Sequence, residues 1–325
     1  MTVYTPHPVA LVSGERVGEW LIRKRVGAGS FGAVYQVECE GELFALKFSL
    51  RHPESGDDLN QTAARLDKEL ACLVQVQHPN IVRTYAYGRW PHPIKGYPYL
   101  LMDYVDGLTL HDWRQRLAPT FRQVFELFGK LALALDALDR VHLRHRDVKG
   151  SNILVRSKDG EPVLIDFGSG HHTQGVRLTE GPLPPGTPHY RTPESLRFQR
   201  LYYRDPNARY PFQLTDDLYS LGVALYEMLA GRAPFSPDLP REVLNIEIER
   251  RVPLSPAKFD ERLSLAMCQL ALRMLEKRPE DRPQTGQAVH EQVQALLREG
   301  GALLDEKVLV QPLDLITTEP ESEEI

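Results

Sequence analysis

Residues 145–152 read HRDVKGSN, and residues 164–168 read LIDFG. The first stretch contains Asp147, Lys149 and Asn152, and the second contains Asp166. An aspartate taken alone is ordinarily a turn or helix-capping residue, because its short side chain hydrogen-bonds the nearby backbone. The function of the two stretches is therefore inferred together with the segments that precede them in the chain.

A glycine-rich stretch lies closer to the N-terminus, where residues 26–34 read VGAGSFGAV, with the spacing GxGxxGxV. Glycine allows a backbone turn to approach phosphate oxygens closely and to offer its N–H groups as donors. The stretch joins two β-prone runs, whereas the turn of a dinucleotide-binding domain leads from a strand into a helix. The pattern therefore disfavours a Rossmann fold, although a glycine-rich hairpin alone is a weak signal.

Lys47 ends the next β-prone run, and Glu69 falls in a segment of helical periodicity over residues 58–77. A lone lysine on a strand is usually a surface charge. An interior pairing with Glu69 would instead direct the Lys47 ammonium at phosphates. The order of the two residues after the glycine-rich stretch favours the second interpretation.

These segments together resemble the eukaryotic-type (Hanks-type) serine/threonine protein kinases, which carry H-R-D-x-K-x-x-N followed by D-F-G. The resemblance covers roughly residues 18–297, nearly the whole chain apart from both ends. It implies an α+β, bilobal protein-kinase-like fold, with a β-rich N-lobe that holds one main helix and a mainly helical C-lobe.

The resemblance also implies roles for individual residues. Asp147 would accept the proton of the incoming hydroxyl, and Lys149 would steady the transferring phosphoryl group. Lys47 would contact the α- and β-phosphates of ATP while paired with Glu69. Asn152 and Asp166 would hold magnesium, or manganese in its place. The nucleotide-binding residues would be Val26, Gly27, Ala28, Gly29, Ser30, Phe31, Gly32, Ala33, Val34, Ala45, Lys47, Met102 as gatekeeper, Asp103, Val105 and Leu154.

Three further positions match the scaffold of that family. Asp217 resembles the aspartate that anchors the catalytic loop from a buried helix. Glu194 and Arg282 would form the buried ion pair of the family. These residues are expected to support the fold and to take no part in the chemistry.

We expect a leader at residues 1–17 that packs loosely, a kinase domain at 18–298 and an acidic, solvated tail at 299–325. Within the domain, the N-lobe would span 18–102, the hinge 103–106 and the C-lobe 107–298. Five helices are predicted in the C-lobe, at residues 121–143, 217–230, 241–249, 263–276 and 285–297.

Composition excludes several classes of protein. The net charge of −5 disfavours a general nucleic-acid binder, which usually needs a basic surface. The three cysteines lie far apart, so neither a disulfide framework nor a zinc site is expected. The sequence also lacks a signal-peptide pattern and an apolar run long enough to cross a bilayer, which predicts a cytoplasmic protein without membrane contact.

Gly186 and Thr187, with residues 190–194, resemble the platform on which the family rests a protein substrate, so the acceptor is expected to be a protein hydroxyl. Lys149 and Thr187 together are typical of serine/threonine members of the family. Arg146 and Arg65 would form a basic pocket for a phosphorylated Thr179, or for Thr173 as second choice; alternatively, Arg65 is a solvated surface charge. The segment 196–214 interleaves arginines with aromatic residues, so it either docks a regulatory partner or substrate or folds back onto the helical lobe.

Three positions depart from the family pattern: Thr84 replaces a leucine, Thr192 an alanine, and Arg144 an apolar residue. We expect Thr84 to weaken the apolar column that holds the active arrangement. Two alternative functions remain open, a pseudokinase that binds nucleotide as a scaffold and a small-molecule phosphotransferase. The intact set of motif residues counts against the first, and the platform around Thr187 counts against the second.

Overall fold

The fold is known from a computed structural model that describes residues 7–29, 32–49, 76–93, 96–166, 171–172, 182–184, 186–205 and 207–310. The predicted helix over 58–77, and Glu69 with it, lies outside these residues.

Six antiparallel strands form the N-terminal sheet: β1 Arg16–Val17, β2 Trp20–Gly29, β3 Gly32–Cys39, β4 Glu42–Ser49, β5 Thr84–Trp90 and β6 Tyr97–Asp103. Their spatial order is β1-β2-β3-β4-β6-β5. Side chains alternate across it, so that Ala33, Tyr35 and Val37 of β3 face inward and are fully buried. They pack with apolar residues of the neighbouring strands into a core separate from that of the C-lobe.

The described helices fill the C-terminal part. They are α1 Leu110–Leu117, α2 Phe121–Arg140, α3 Pro193–Leu201, α4 Leu214–Ala230, α5 Arg241–Arg250, α6 Leu265–Met274 and α7 Gly286–Glu299. The five predicted helices correspond to α2 and α4 to α7, whereas α1 and α3 were not predicted. Both are short and rich in charge, so their periodicity is weak, and each begins at a threonine N-cap, Thr109 or Thr192.

Small strands connect the lobes and frame the loop that contains Asp147. Strands β7 Gly107–Thr109, β9 Ile153–Arg156 and β10 Pro162–Leu164 form a three-stranded sheet, while β8 Leu143–Arg144 pairs with β11 His171–His172. Leu164 also pairs with the segment before β5, because its carbonyl accepts from Val82 N at 3.0 Å and its N–H donates to Asn80 O at 2.8 Å. The two lobes are thus joined by backbone hydrogen bonds as well as by the hinge.

Both ends of the described chain differ from the loosely packed leader and the solvated tail that the sequence predicts. Pro8, Leu11 and Val17 are buried, and the Tyr35 hydroxyl donates to Pro8 O at 2.7 Å. At the other end Leu304 and Val308 are buried against the C-lobe core. Apolar side chains at both ends therefore close the two cores, and the folded unit extends beyond residues 18–298.

The segment 196–214 divides into an inner and an outer part. Leu196 and Phe212 are buried, and Tyr210 N donates to Pro182 O at 2.9 Å, so these residues fold back onto the helical lobe. Tyr202 and Tyr203 stay exposed. A regulatory partner at this segment remains a prediction, which only the outer part could serve.

No helix in the described ranges is both long enough and apolar enough to span a bilayer.

Candidate active site

The loop that carries Asp147 is held by a buried carboxylate. Asp217 is 2% exposed on α4, and its two oxygens accept the N–H groups of His145 and Arg146, each at 2.8 Å. Burial raises the pKa of Asp217, and the charge of His145 and these hydrogen bonds oppose that effect. The His145 ring is also buried and contacts Ile165 O through Nε2 at 3.0 Å. The expected anchoring role of Asp217 is therefore seen in the structure.

Asp147 lies at the centre of a compact polar cluster. Its Oδ2 is 2.7 Å from Lys149 Nζ, and its Oδ1 accepts the Thr187 hydroxyl at 3.2 Å. Lys149 Nζ also donates to Thr187 Oγ1 at 3.0 Å. Asn152 Nδ2 donates to Asp147 O at 2.8 Å and to Oδ2 at 3.2 Å. The structure thus brings together four residues that are up to 40 positions apart in the chain.

The second group of polar residues joins the N-lobe to the D-F-G stretch. Lys47 Nζ lies 3.0 Å from Asp166 Oδ1. Asp166 adopts a left-handed backbone conformation with φ of 64°, and half of its side chain is exposed to the cleft. Asn152 O accepts Ile165 N at 2.9 Å, so the backbones of the two predicted metal ligands are neighbours. The pairing of Lys47 with Glu69 falls outside the described residues and stays a prediction.

The cleft above this group is apolar. Ala45 pairs with Met102 across β4 and β6, and both side chains are buried in the cluster that also includes Val34 and Val105. Asp103 N donates to Arg83 O at 2.9 Å, so that N–H is used within the lobe. Among the described residues, by contrast, none accepts the N–H of Val105. The predicted role of Val105 as a donor to the nucleotide stays a prediction.

The glycine-rich stretch forms the hairpin between β2 and β3, with Gly29 opposite Gly32. Two strands therefore flank it, as the sequence predicts, and Val26 is 43% exposed at its start. Ser30 and Phe31, at the tip, lie outside the described residues.

A cluster that the sequence did not predict lies beside Lys149. The Tyr190 hydroxyl donates to Glu227, accepts from Gly150 N at 3.3 Å, and His189 Nε2 lies 3.6 Å from the second oxygen of Glu227. Burial raises the pKa of Glu227 to about 7, and burial together with the charge of Lys149 lowers the pKa of His189. No local motif marks Glu227, since its role depends on how α4 packs against the turn Pro188–Tyr190.

The platform after Thr187 is fixed by two further contacts. Arg282 is fully buried and makes a bidentate ion pair with Glu194, with N···O distances of 2.6 and 2.7 Å, as the sequence predicts. Thr192 caps α3 and donates to Asp216 Oδ1 at 2.8 Å. Asp216 also accepts the Tyr210 hydroxyl at 3.0 Å, and burial raises its pKa to about 6. The threonine at position 192, where the family has alanine, thus adds a hydrogen bond between the platform and α4.

The other departures also have structural counterparts. Arg144 pairs with Asp139 at 2.6 Å, which compensates its charge at a position that is usually apolar. Thr84 places its hydroxyl oxygen in a buried position where the described residues offer no hydrogen-bond partner. The hydroxyl therefore adds an unpaired polar group to the region of the apolar column. Leu73 and Phe167 of that column lie outside the described residues.

Arg146, which was predicted to line a phosphate pocket, contacts an aromatic ring. Its guanidinium carbon lies 4.7 Å from the centre of the Phe212 ring, which is the geometry of a cation–π contact. Arg65, Thr173 and Thr179 lie outside the described residues, so the pocket stays a prediction.

The sequence of the chain matches a known protein family. The sequence profile named "Protein kinase domain" matches residues 20–293. The chain is 30% identical over 292 residues to Serine/threonine-protein kinase pkn3 of Myxococcus xanthus, covering 86% of this chain and 50% of that protein. It is 33% identical over 224 residues to Serine/threonine-protein kinase PknB of Mycobacterium tuberculosis, covering 68% of this chain and 34% of that protein.

The chain thus spans half the length of the first relative and about a third of the second. The profile matches most of the chain, from the first long strand to the last long helix, and includes every described residue of the site. The chain belongs to the protein kinase domain family.

Proposed function

We propose that this protein transfers the γ-phosphoryl group of ATP to a serine or threonine hydroxyl of a protein substrate. The observation that carries the proposal is the contact of Lys149 with both Asp147 and Thr187, at 2.7 and 3.0 Å. In the proposed reaction Asp147 accepts a proton from the incoming hydroxyl, and Lys149 balances the charge on the phosphoryl group. Both relatives are named serine/threonine-protein kinases, which agrees with this activity.

The donor set of the cleft fits Mg²⁺. Asp166 offers a half-exposed carboxylate. Asn152 donates a hydrogen bond to Asp147 through its amide nitrogen, so its amide oxygen would be the atom that binds the ion. Hard oxygen ligands of this kind, completed by phosphate oxygens and water, are those that Mg²⁺ prefers. When bound, the ion neutralises charge on the phosphates.

The chain's own residues prepare the cleft for the nucleotide. Lys47 is already directed toward Asp166, where it can meet the phosphates at the open end of the apolar cleft. Met102 and Ala45 form the apolar surface that contacts the adenine ring, and the Val105 N–H donates a hydrogen bond to that ring. The domain limits proposed for this activity are those of the kinase domain, extended by the packed residues at both ends.

Transfer of labelled phosphate from ATP tests the proposal. The full chain is incubated with Mg²⁺ or Mn²⁺, labelled ATP and a generic basic protein, and the products are hydrolysed for phosphoamino-acid analysis. We expect label on serine or threonine, and a loss of rate of about 10²-fold or more in Asp147→Asn, because proton acceptance is removed. Asp166→Ala should lose the dependence of ATP affinity on the metal.

Two outcomes would overturn the proposal. Label confined to tyrosine would contradict the serine/threonine assignment. ATP binding without any transfer by the wild-type chain would favour the pseudokinase alternative, which the intact Lys47, Asp147, Asn152 and Asp166 do not suggest.

A further inference from the structure

A groove leads away from the transfer site along α1. It has a volume of about 620 Å³, within the range of about 300–1,000 Å³ that ligand pockets usually occupy. Its walls are formed by α1, by the end of α4, and by the loops that follow α4 and α5. A short stretch of extended polypeptide therefore fits in it.

The groove is continuous with the cluster around Asp147. Gly150 lines the groove, directly follows Lys149 in the chain, and donates its N–H to the Tyr190 hydroxyl at 3.3 Å. Tyr190 in turn lines a second, smaller cavity together with Asp147 and Thr187. A substrate whose hydroxyl reaches Asp147 can therefore place its neighbouring residues in this groove.

The polar side chains beneath the groove are bonded within the protein. Arg114 donates to two backbone carbonyl oxygens, at 3.0 and 2.5 Å. Burial lowers the pKa of Arg114, and the charge of Asp260 opposes that effect. The Tyr226 hydroxyl donates to Leu254 O at 2.9 Å, and Glu227 accepts a tyrosine hydroxyl as described above. A ligand gains little from such groups, because each new hydrogen bond replaces an existing one.

Charges at the rim of the groove have both signs. His111, Arg232 and Asp238 line it and are exposed. Arg232 also stacks on the ring of Phe259, with its guanidinium carbon 4.7 Å from the ring centre. Because one arginine and one aspartate lie at the same rim, the groove has no net preference for an acidic or a basic ligand.

The surface that remains for a ligand is mainly apolar. Leu110, Ala224 and Met228 line the groove and are at most 2% exposed, so they form its base. Leu254 lines it and is 60% exposed, and Phe259 is partly exposed. Covering these two side chains with another apolar side chain removes apolar surface from water, which is favourable.

The backbone of Leu254 is held in place. The hydroxyl of Tyr226, a buried residue of α4, donates to its carbonyl oxygen, and the 3₁₀ turn Pro256–Lys258 follows with Pro256 buried. An exposed leucine on such a backbone is a preformed contact surface, because little conformational entropy is lost when a ligand covers it.

We propose that this groove binds the residues of the protein substrate that flank the phosphoacceptor, and that it selects a large apolar side chain there through contact with Leu254 and Phe259. The inference rests on the proposed function. It adds a requirement on the substrate sequence that Asp147 and Lys149 do not impose.

The route of the groove places the preferred residue at a distance from the acceptor. Gly150 meets α1 at Leu110, where a Cβ on the glycine would lie 3.7 Å from Leu110 Cβ. Arg114 also lines the groove, one helical turn of about 6 Å further along α1. About two extended residues span that length, so the apolar residue should lie at least about two positions from the acceptor.

The test determines the sequence preference of the full chain with degenerate serine/threonine peptides. Each flanking position in turn is fixed as leucine, alanine, glutamate or arginine, and labelled ATP and Mg²⁺ are supplied. We expect a preference for leucine at a position of that kind. A single peptide with leucine there should have a kcat/KM about tenfold higher than its alanine counterpart, as is usual for one apolar side chain in an apolar pocket.

Three variants show whether the groove causes the preference. Leu254→Gln should reduce the ratio of the two kcat/KM values by about fivefold, mainly through KM, whereas Leu254→Met should keep it. Leu117→Gln is the matched control, since Leu117 is 58% exposed at the end of α1 and does not line the groove. It should leave the ratio unchanged.

Several results would overturn the inference. They are equal use of leucine and alanine at every flanking position, a ratio that survives in Leu254→Gln, and an equal loss in Leu117→Gln. A preference for glutamate or arginine in place of leucine would also overturn it, because Arg232 or Asp238 would then select the substrate.

The same reactions distinguish this inference from the proposed function. If peptides are labelled without an apolar preference, or if only a generic basic protein is labelled, selection by the groove is wrong and the kinase activity stands. If the wild-type chain labels neither the peptides nor the basic protein, the proposed function fails, and this inference fails with it.

Discussion

The guanidinium of Arg146 lies over the ring of Phe212, with its central carbon 4.7 Å from the ring centre. Arg146 directly precedes Asp147 and has a left-handed backbone with φ of 68°. Phe212 is buried and belongs to the segment between α3 and α4. An aromatic residue from this long connection therefore holds the side chain next to the proposed catalytic base.

Phe212→Leu should lower the transfer rate while the protein stays folded. Leucine keeps an apolar side chain in the site but removes the ring face, and a partly desolvated cation–π contact contributes about 1 kcal/mol, or about fivefold. Initial rates of phosphate transfer measure the effect. Phe212→Tyr keeps a ring face and serves as control; equal rates for the Leu and Tyr variants would show that the ring is not needed.

Glu194→Leu should destabilise the protein by about 3–5 kcal/mol, because Arg282 is then left charged and unpaired in a fully buried position. Urea denaturation followed by tryptophan fluorescence gives the free energy of unfolding. The double variant Glu194→Leu/Arg282→Leu should recover part of this loss, since the unpaired charge is gone.

A matched control is Glu38→Leu, which breaks the more exposed pair between Glu38 and Arg23. Water screens that pair, so a much smaller loss is expected. Equal losses at Glu38 and Glu194 would contradict a special role for burial.

Glu227 should make stability depend on pH. Burial raises its pKa from 4.5 to about 7, so the folded protein keeps a proton that the unfolded chain has already released. The contribution of this carboxyl to the free energy of unfolding is therefore complete below pH 4.5 and is lost as pH rises toward 7. Melting temperatures between pH 5 and 8 should decline more steeply for the wild-type protein than for Glu227→Gln. Parallel curves would show that Glu227 does not titrate in this range.

Thr84→Val should raise the free energy of unfolding by about 1 kcal/mol, because it removes a buried hydroxyl without a partner and keeps the side-chain shape. Chemical denaturation measures it. The same substitution at Thr109 should have the opposite sign, since that hydroxyl caps α1 by accepting Asp112 N at 3.1 Å. A loss of stability in both variants would indicate that Thr84 has a partner in solution.

The sequence alone predicted the residues whose chemistry is local. Asp147, Lys149 and Asn152 fall within one short motif of the family that the chain resembles, and in the structure their side chains contact one another within one loop. Asp217 and the pair of Glu194 with Arg282 were also predicted, but only through resemblance to the family, because nothing in their local patterns indicates contact over 72 or 88 residues.

Contacts that depend on how helices pack could not be predicted from the sequence. Tyr190 and Glu227 meet because α4 lies beneath the turn that contains Tyr190, and neither residue stands in an unusual local pattern. Thr192 stands where the family has alanine, and nothing in the local sequence indicates that its hydroxyl donates to Asp216 on α4. The packed ends were missed for a related reason, since isolated apolar residues such as Leu11 and Val308 have no periodicity.

The two amide bonds to Asp217 have a consequence for motion. His145 and Arg146 lie in a loop, but their N–H groups donate to a carboxylate on a helix whose side chains are almost all buried. Their hydrogens can exchange with solvent only when that helix separates from the loop, an event that ranks with opening of the core. The amide hydrogens of His145 and Arg146 should therefore be among the slowest in the molecule to exchange with solvent.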